Sequence, residues 1–200
     1  MQLLHASASP FARTVRVLLR EGGGEGAVSE RQVQTAPGAT DPAVAAANPT
    51  GRIPALLRDD GPALHDSRVI ARFLDDRLGA GLYPAAPRLW DVLVLESTAH
   101  AAMDSAVSLS YENRRPEGER SPGWIEAQRA KVRGALDAIE GRWMSHLAGP
   151  LDMAQVAVAC ALSYLDLRHA DLAWREGRPQ LAAWHGRMDA RPAFAATRPE

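Results

Sequence analysis

The chain carries a single cysteine, Cys160, in its 200 residues. One thiol excludes an internal disulfide, a thiolate metal cluster and a Cys-x-x-Cys redox pair, and nothing else in the sequence suggests a metal site. It also carries a single lysine, Lys131; arginine supplies the rest of its 23 Lys+Arg charges. Against 24 acidic residues these leave a formal net charge of −1. So balanced a chain exerts no overall electrostatic pull on nucleic acid or on an anionic membrane. Long apolar runs are missing too: none approaches the ~20 residues that span a bilayer. The opening Met1-Gln2-Leu3-Leu4-His5 has no basic region of the kind that begins a signal peptide, so the expected location is the cytoplasm. The arginine and alanine richness fits a GC-rich genome and is assigned no function.

What is present centres on Asn48-Pro49-Thr50-Gly51-Arg52-Ile53-Pro54-Ala55-Leu56. This reads as a loop that ends in proline and enters a short apolar strand, Ile53 to Leu57. Proline cannot donate to a sheet ladder, so at a strand's start it belongs to an edge or a turn. An X-Pro bond is also the common site of a cis peptide. A cis Ile53–Pro54 bond would turn the backbone groups of Ile53 out of the sheet, toward a guest. About ten residues later, His65-Asp66-Ser67 precedes an apolar-periodic run. Ser67 suits the N-cap of that helix, and a helix N-terminus attracts anions. A strand edge, a carboxylate and a helix start together suit a small zwitterionic peptide.

Around this centre the first eighty residues read βαβα followed by ββα. Gln2 to His5 predicts a strand. Ser9 caps a helix with Pro10 at its first position, and Phe11, Val15, Leu18 and Leu19 form its buried face, with Arg13 and Arg16 off it. Val28 to Val33 predicts a second strand, with Pro37 and Gly38 at its exit. Asp41 caps a short alanine-rich helix. Asp59-Asp60-Gly61 turns into a strand over Pro62 to Leu64, and a helix runs from about Ser67 to Leu78. Gly79 to Pro87 is rich in glycine and proline, and everything beyond predicts helix: 89–111, 124–147, a segment from 153 opened by an Asp152…Gln155 capping box, and a last helix over Pro179 to Asp189. The 153–164 segment is poor in charge and predicts the buried centre of that half. From Arg191 the tail is expected to fray.

The order of elements and the motifs Ser9-Pro10-Phe11-x-Arg13, Asn-Pro-x-Gly-Arg-Ile-Pro at 48–54 and Asp66-Ser67 together resemble the cytosolic glutathione S-transferase family. Most like it are bacterial members with serine, rather than cysteine or tyrosine, at the first helix. The capping box departs from that family, in which Ser or Thr stands first and Asp fourth. The resemblance implies an α/β thioredoxin-like domain over 1–79, a linker over 80–87 and an all-α domain over 88–200. It implies glutathione as co-substrate with no other cofactor, a small hydrophobic electrophile, a detoxifying role and a homodimer.

It also implies roles. Ser67 would take the glutathione α-carboxylate, Asp66 its ammonium, the Ile53 backbone its cysteinyl unit after the Pro54 turn, and Arg52 its glycyl carboxylate. Ser9, followed by Phe11 in the same turn, would donate to the thiol and lower its pKa from ~8.5, with Ser7 as the rival donor. Arg13 would either add positive potential or join an interdomain salt bridge. The electrophile pocket would lie between the domains, with Phe11, His100, Met103 and Tyr111 available. The sequence alone shows no partner that would make His100 a general base. Cys160 and the five tryptophans read as packing residues. Two alternatives stand beside the transferase: a non-catalytic ligand- or protein-binding module of the same fold, and a thiol–disulfide enzyme. The latter needs a cysteine in the 6–10 turn, where Ser7 and Ser9 stand.

Overall fold

Leu3 and Leu4 are adjacent in sequence and both fully buried, so strand β1 (Gln2–His5) is covered on both faces and must lie inside its sheet. In this computed structural model, which describes residues 1–36 and 38–200, the sheet has four strands in the order β2-β1-β3-β4. Pro37 lies outside the described residues. β2 (Ser29–Gln32) pairs parallel to β1. A parallel pair needs a crossover, and helix α1 (Pro10–Glu21) supplies it. β3 (Ala55–Leu57) runs antiparallel to β1, and β4 (Leu64–His65) antiparallel to β3. Helices α2 (Pro42–Ala47) and α3 (Ser67–Leu78) complete the βαβα-ββα order.

Several boundaries differ from the sequence reading, each for a local reason. β3 starts at Ala55 and not at Ile53, because Pro54 has no N–H to give the ladder. β4 starts at Leu64 and not at Pro62, whose carbonyl instead accepts from Arg58 Nε at 3.0 Å. β2 is shorter by one valine at each end, Val28 and Val33, both buried. Ser67 is the first residue inside α3 and not its cap; the Asp66 carboxylate accepts from Arg68 N–H at 2.9 Å and takes the cap. α1 begins as the sequence reads, with Ser9 Oγ accepting from Ala12 N–H at 3.2 Å. Its Arg13, however, is buried to 1 % exposure.

Arg13 is buried because the tail does not fray. The chain divides into two compact units, Met1–Pro84 with Pro192–Glu200, and Ala85–Arg191. Residues 192–195 form a short helix, α9, in the first unit. Phe194 of α9 is fully buried. Arg13 Nη2 donates to the Phe194 carbonyl at 3.1 Å, and its guanidinium lies 5.6 Å from the Phe194 ring centre. Thr197 is equally buried and receives Arg13 Nε at 3.5 Å.

The second unit is helical: α4 (Arg88–Glu112), α5 (Pro122–Arg142), α6 (Met144–Leu147), α7 (Met153–Arg168) and α8 (Pro179–Asp189). The sequence reading of one helix over 124–147 becomes two, because Trp143 leaves helical geometry at φ −115°, ψ 3°. α7 is buried at every position from Met153 to Leu165, Cys160 included, and α4 packs against it. Asp152 caps α7 through Gln155 N–H at 3.1 Å, while its other oxygen holds His146 Nε2 at 2.8 Å and Arg88 Nη2 at 3.2 Å. The reciprocal half of the capping box runs differently: Gln155 Nε2 donates to the carbonyl of Pro150 at 2.7 Å. An amide nitrogen ties down loop carbonyls, which an aspartate there could not do.

Each unit hides a histidine. Burial, with Arg16 beside it, holds His5 below its ordinary value against the opposing charge of Glu30. Burial likewise holds His169 low against the Ala106 carbonyl. The unfolded chain protonates these groups near pH ~6.5 and the folded chain only at lower pH. Their contribution to stability is therefore complete above pH ~6.5 and is lost as the pH falls toward their folded values. For Glu30, burial pushes the carboxyl up, but the hydrogen bonds and charges of Arg16 and Arg20 outweigh it and hold it low, so its share is lost only in the more acid range. Urea midpoints are thus expected to be level above pH ~7 and to decline from pH ~6.5 toward 5. His5→Gln and His169→Gln should each flatten part of that decline; an unchanged slope in both variants would sink the assignment.

Candidate functional site

Register decides which loops meet. Leu4, next to the last residue of β1, pairs with Ala55, the first of β3; Ala55 pairs with His65, the last of β4. The turn after β1, the loop before β3 and the start of α3 after β4 therefore leave the sheet at one end, on three neighbouring strands. Those segments carry Ser7 and Ser9, Ile53 and Pro54, and Asp66 and Ser67. Strand spacing of ~4.8 Å places them across roughly 10 Å.

In the first segment, Ser9 N–H donates to the Ala6 carbonyl at 3.0 Å and closes a tight turn with Ser7 inside it. Both serines are partly exposed. Ser9 Oγ accepts from Ala12 N–H, which leaves its own hydrogen to be donated outward from the positive end of α1. Phe11 is half-buried, and its carbonyl accepts from the Thr14 hydroxyl at 2.8 Å.

In the second segment the Ile53–Pro54 peptide is cis. Pro54 is buried, Ile53 half-buried and Arg52 exposed. The loop before them is organised by Asn48, which is itself buried. Asn48 Oδ1 accepts from Thr50 N–H at 3.0 Å and from the Thr50 hydroxyl at 2.9 Å, and Nδ2 donates to the Arg52 carbonyl at 2.8 Å. Gly51 sits at φ +66°, where a side chain is strained, and a Cβ there would come within 3.0 Å of Thr40 Oγ1.

In the third segment Asp66 is held at φ +63°, a left-handed position that costs a non-glycine residue about 1–3 kcal/mol. Its carboxylate caps α3 and takes a forked ion pair from Arg68, Nε at 3.2 Å and Nη2 at 3.1 Å, at the half-exposed surface. Ser67 is buried in the first turn of the helix. Strain spent on a surface carboxylate beside a helix start, with a guanidinium adjoining, is an arrangement suited to a ligand end that bears both an ammonium and a carboxylate.

The α4 residues named from the sequence do not gather in the same way. Met103 is fully buried and His100 nearly so, whereas Tyr111 is more than one-third exposed, with Arg114 over its ring at 5.7 Å. At 1.5 Å per residue, His100 and Tyr111 are about 16 Å apart along the helix axis. The packing role expected of every tryptophan holds for Trp174 and Trp184, which are buried, and fails for Trp90 and Trp124, which are 63 % and 40 % exposed.

Comparison with known proteins bears on the whole chain. Residues 8–77 match the glutathione S-transferase N-terminal domain model and residues 122–187 the C-terminal domain model. A solved glutathione transferase family member from Pseudomonas fluorescens Pf-5, with bound glutathione, is 42 % identical and covers 100 % of this chain and 98 % of its own, with a TM-score of 0.97. The chain belongs to the glutathione S-transferase family. A glutathione S-transferase from Methylobacillus flagellatus KT, solved with glutathione bound, is 33 % identical over 100 % of this chain and 99 % of its own, TM-score 0.85. Among curated proteins, the uncharacterised GST-like protein YibF of Escherichia coli strain K12 is 29 % identical, covering 100 % of this chain and 98 % of its own.

Three features of this family member escaped the sequence reading: the Asn48 clamp, the return of the tail to α1, and Asp75. Buried in α3, Asp75 accepts from Leu82 N–H at 2.7 Å and Tyr83 N–H at 3.2 Å, tying down the chain after the helix. Only the first left a trace in the sequence, since Asn-Pro-Thr-Gly suits an Asx turn.

Proposed function

We propose that the protein is a glutathione S-transferase that joins the glutathione thiolate to a small apolar electrophile, with glutathione as its co-substrate. The observation that carries this reading is the register that brings Ser9, Ile53 and Asp66 to one end of the sheet. An extended tripeptide measures roughly 10 Å, the breadth of those three strands. The γ-glutamyl end belongs at Asp66 and Ser67, the cysteinyl unit against the Ile53 backbone beside Pro54, and the thiol at Ser9 with Phe11 behind it. Arg52 is the cation for the glycyl carboxylate. Bound glutathione in the 42 % and 33 % identical relatives supports the co-substrate. No helix among the described residues is long and apolar enough to cross a membrane, which fits the proposed cytoplasmic setting.

The test is a panel of electrophiles, activated aryl halides and unsaturated carbonyls, assayed with glutathione at pH 6.5 to 8. Turnover with at least one, dependent on Ser9, is expected. Retention on immobilised glutathione with no turnover across the panel would leave the non-catalytic binding module in its place.

A homodimer is part of the proposal. Trp90 and Val94 lie one turn apart on α4, both more than half uncovered, and such apolar surface favours an interface. Sedimentation at micromolar concentration is expected to give twice 21.5 kDa, and Trp90→Asp to shift it toward the monomer. A wild-type chain that sediments only at 21.5 kDa removes the dimer.

A further inference from the structure

We infer that Asn48 is a positioning residue for glutathione: it fixes the direction of the Ile53 N–H that the cysteinyl carbonyl accepts. The inference rests on the glutathione reading above. It follows from one shared peptide plane. The Thr50 N–H can only donate, so the Asn48 atom it meets is the oxygen, and the nitrogen must face the Arg52 carbonyl, as it does at 2.8 Å. That carbonyl and the Ile53 N–H belong to the same peptide group. The Arg52–Ile53 bond is trans, the cis bonds among the described residues being those before Pro54 and Pro87. In a trans peptide the C=O and N–H point in opposite directions within a rigid plane. A carbonyl drawn inward to buried Asn48 therefore aims the Ile53 N–H away from it.

The clamp has the rigidity this role needs. Asn48 is buried to 2 % exposure. Its backbone N–H donates to Val44 in the last turn of α2, and its carbonyl accepts from Gly51 N–H at 2.9 Å. Main chain and side chain both hold the loop, but only Nδ2 touches the peptide that presents Ile53.

Asn48→Asp separates the two functions of the side chain. It keeps the acceptor for Thr50 and replaces the donor to Arg52 with an oxygen that repels the carbonyl. Thr50→Val removes one bond to Oδ1 and leaves the donor in place. Glutathione titrated calorimetrically into full-length dimer or monomer, as the protein exists, should bind Asn48→Asp about tenfold more weakly and Thr50→Val within twofold of wild type. At saturating glutathione, kcat and the midpoint of the pH–rate curve should be unchanged in both, since the thiol's own contacts are intact. Wild type that binds glutathione while Asn48→Asp binds equally well overturns this inference alone; a wild type that does not bind overturns it together with the transferase reading. Equal weakening by both variants assigns the effect to general loop stiffness and also overturns it. Should Asn48→Asp not fold, the Ile53 amide of the wild-type protein decides: it must shift in the NMR spectrum and slow its hydrogen exchange on adding glutathione, and an unmoved amide rejects the proposal.

Discussion

Ser9→Ala should shift the pH–rate curve for conjugation upward by about one to two pH units and slow the reaction roughly 10- to 100-fold below pH 7. A hydrogen bond to a charged acceptor contributes about 1.5–3 kcal/mol, and each ~1.4 kcal/mol moves a pKa by one. The hydroxyl is suited to the task because its lone pair, not its hydrogen, caps α1 at Ala12. Capping and thiol activation are thus compatible in one side chain, and the variant should show both losses: the rate change and a fall in stability of about 1 kcal/mol from the missing cap. Ser9→Thr, which keeps both groups, should restore both. Ser7 lies inside the Ala6–Ser9 turn, and the cap of α1 is Ser9. If Ser7→Ala moves the curve and Ser9→Ala does not, the donor is Ser7. If neither moves it, the helix N-terminus and backbone N–H groups activate the thiol unaided.

Asp66→Asn should weaken glutathione binding by about 10- to 100-fold without lowering the melting temperature appreciably. Asparagine has nearly the same shape as aspartate, so the exchange adds little backbone strain at φ +63°, and it caps helices as well as aspartate does. What the exchange removes is the charge. A charged partner for the ammonium contributes about 1.5–3 kcal/mol, which sets the expected range. Arg68 sharpens the expectation: it already pairs with this carboxylate, so the ammonium joins a shared site and does not find a bare anion. Asp66→Ala confounds three effects, since alanine loses the charge and the cap and is strained at positive φ. An Asp66→Asn variant retained on immobilised glutathione like wild type would move the ammonium site elsewhere.

The extent to which the sequence disclosed this protein followed the range of each interaction. Ser9 before Pro10, Asp41 before Pro42 and Asp152 before a charge-poor helix are local signals, and each marks a helix start in the structure. Asp66-Ser67 was legible as a cap but wrong by one residue, because either side chain can reach a free N–H and only backbone geometry chooses between them. Arg13 misled for the opposite reason. Helical periodicity places an arginine outside, and only a partner 181 residues away, the Phe194 carbonyl, makes its burial tolerable. The convergence of the candidate site was half legible: the motifs could be named, but that they leave one end of the sheet depends on the Leu4–Ala55–His65 register. For His100, Met103 and Tyr111, sequence periodicity could propose one helix face but not which residues packing would cover.

The return of α9 to α1 also orders events on the ribosome. Residues 1–84 and 192–200 make one unit, with 85–191 inserted between them. At roughly 5–20 residues per second, the nascent first unit waits about 5–20 s for Phe194 and Thr197 to be synthesised. Through that interval the seat of Phe194 on α1 lies open, so the half of the chain that carries Ser9, Asn48 and Asp66 is made first and finished last.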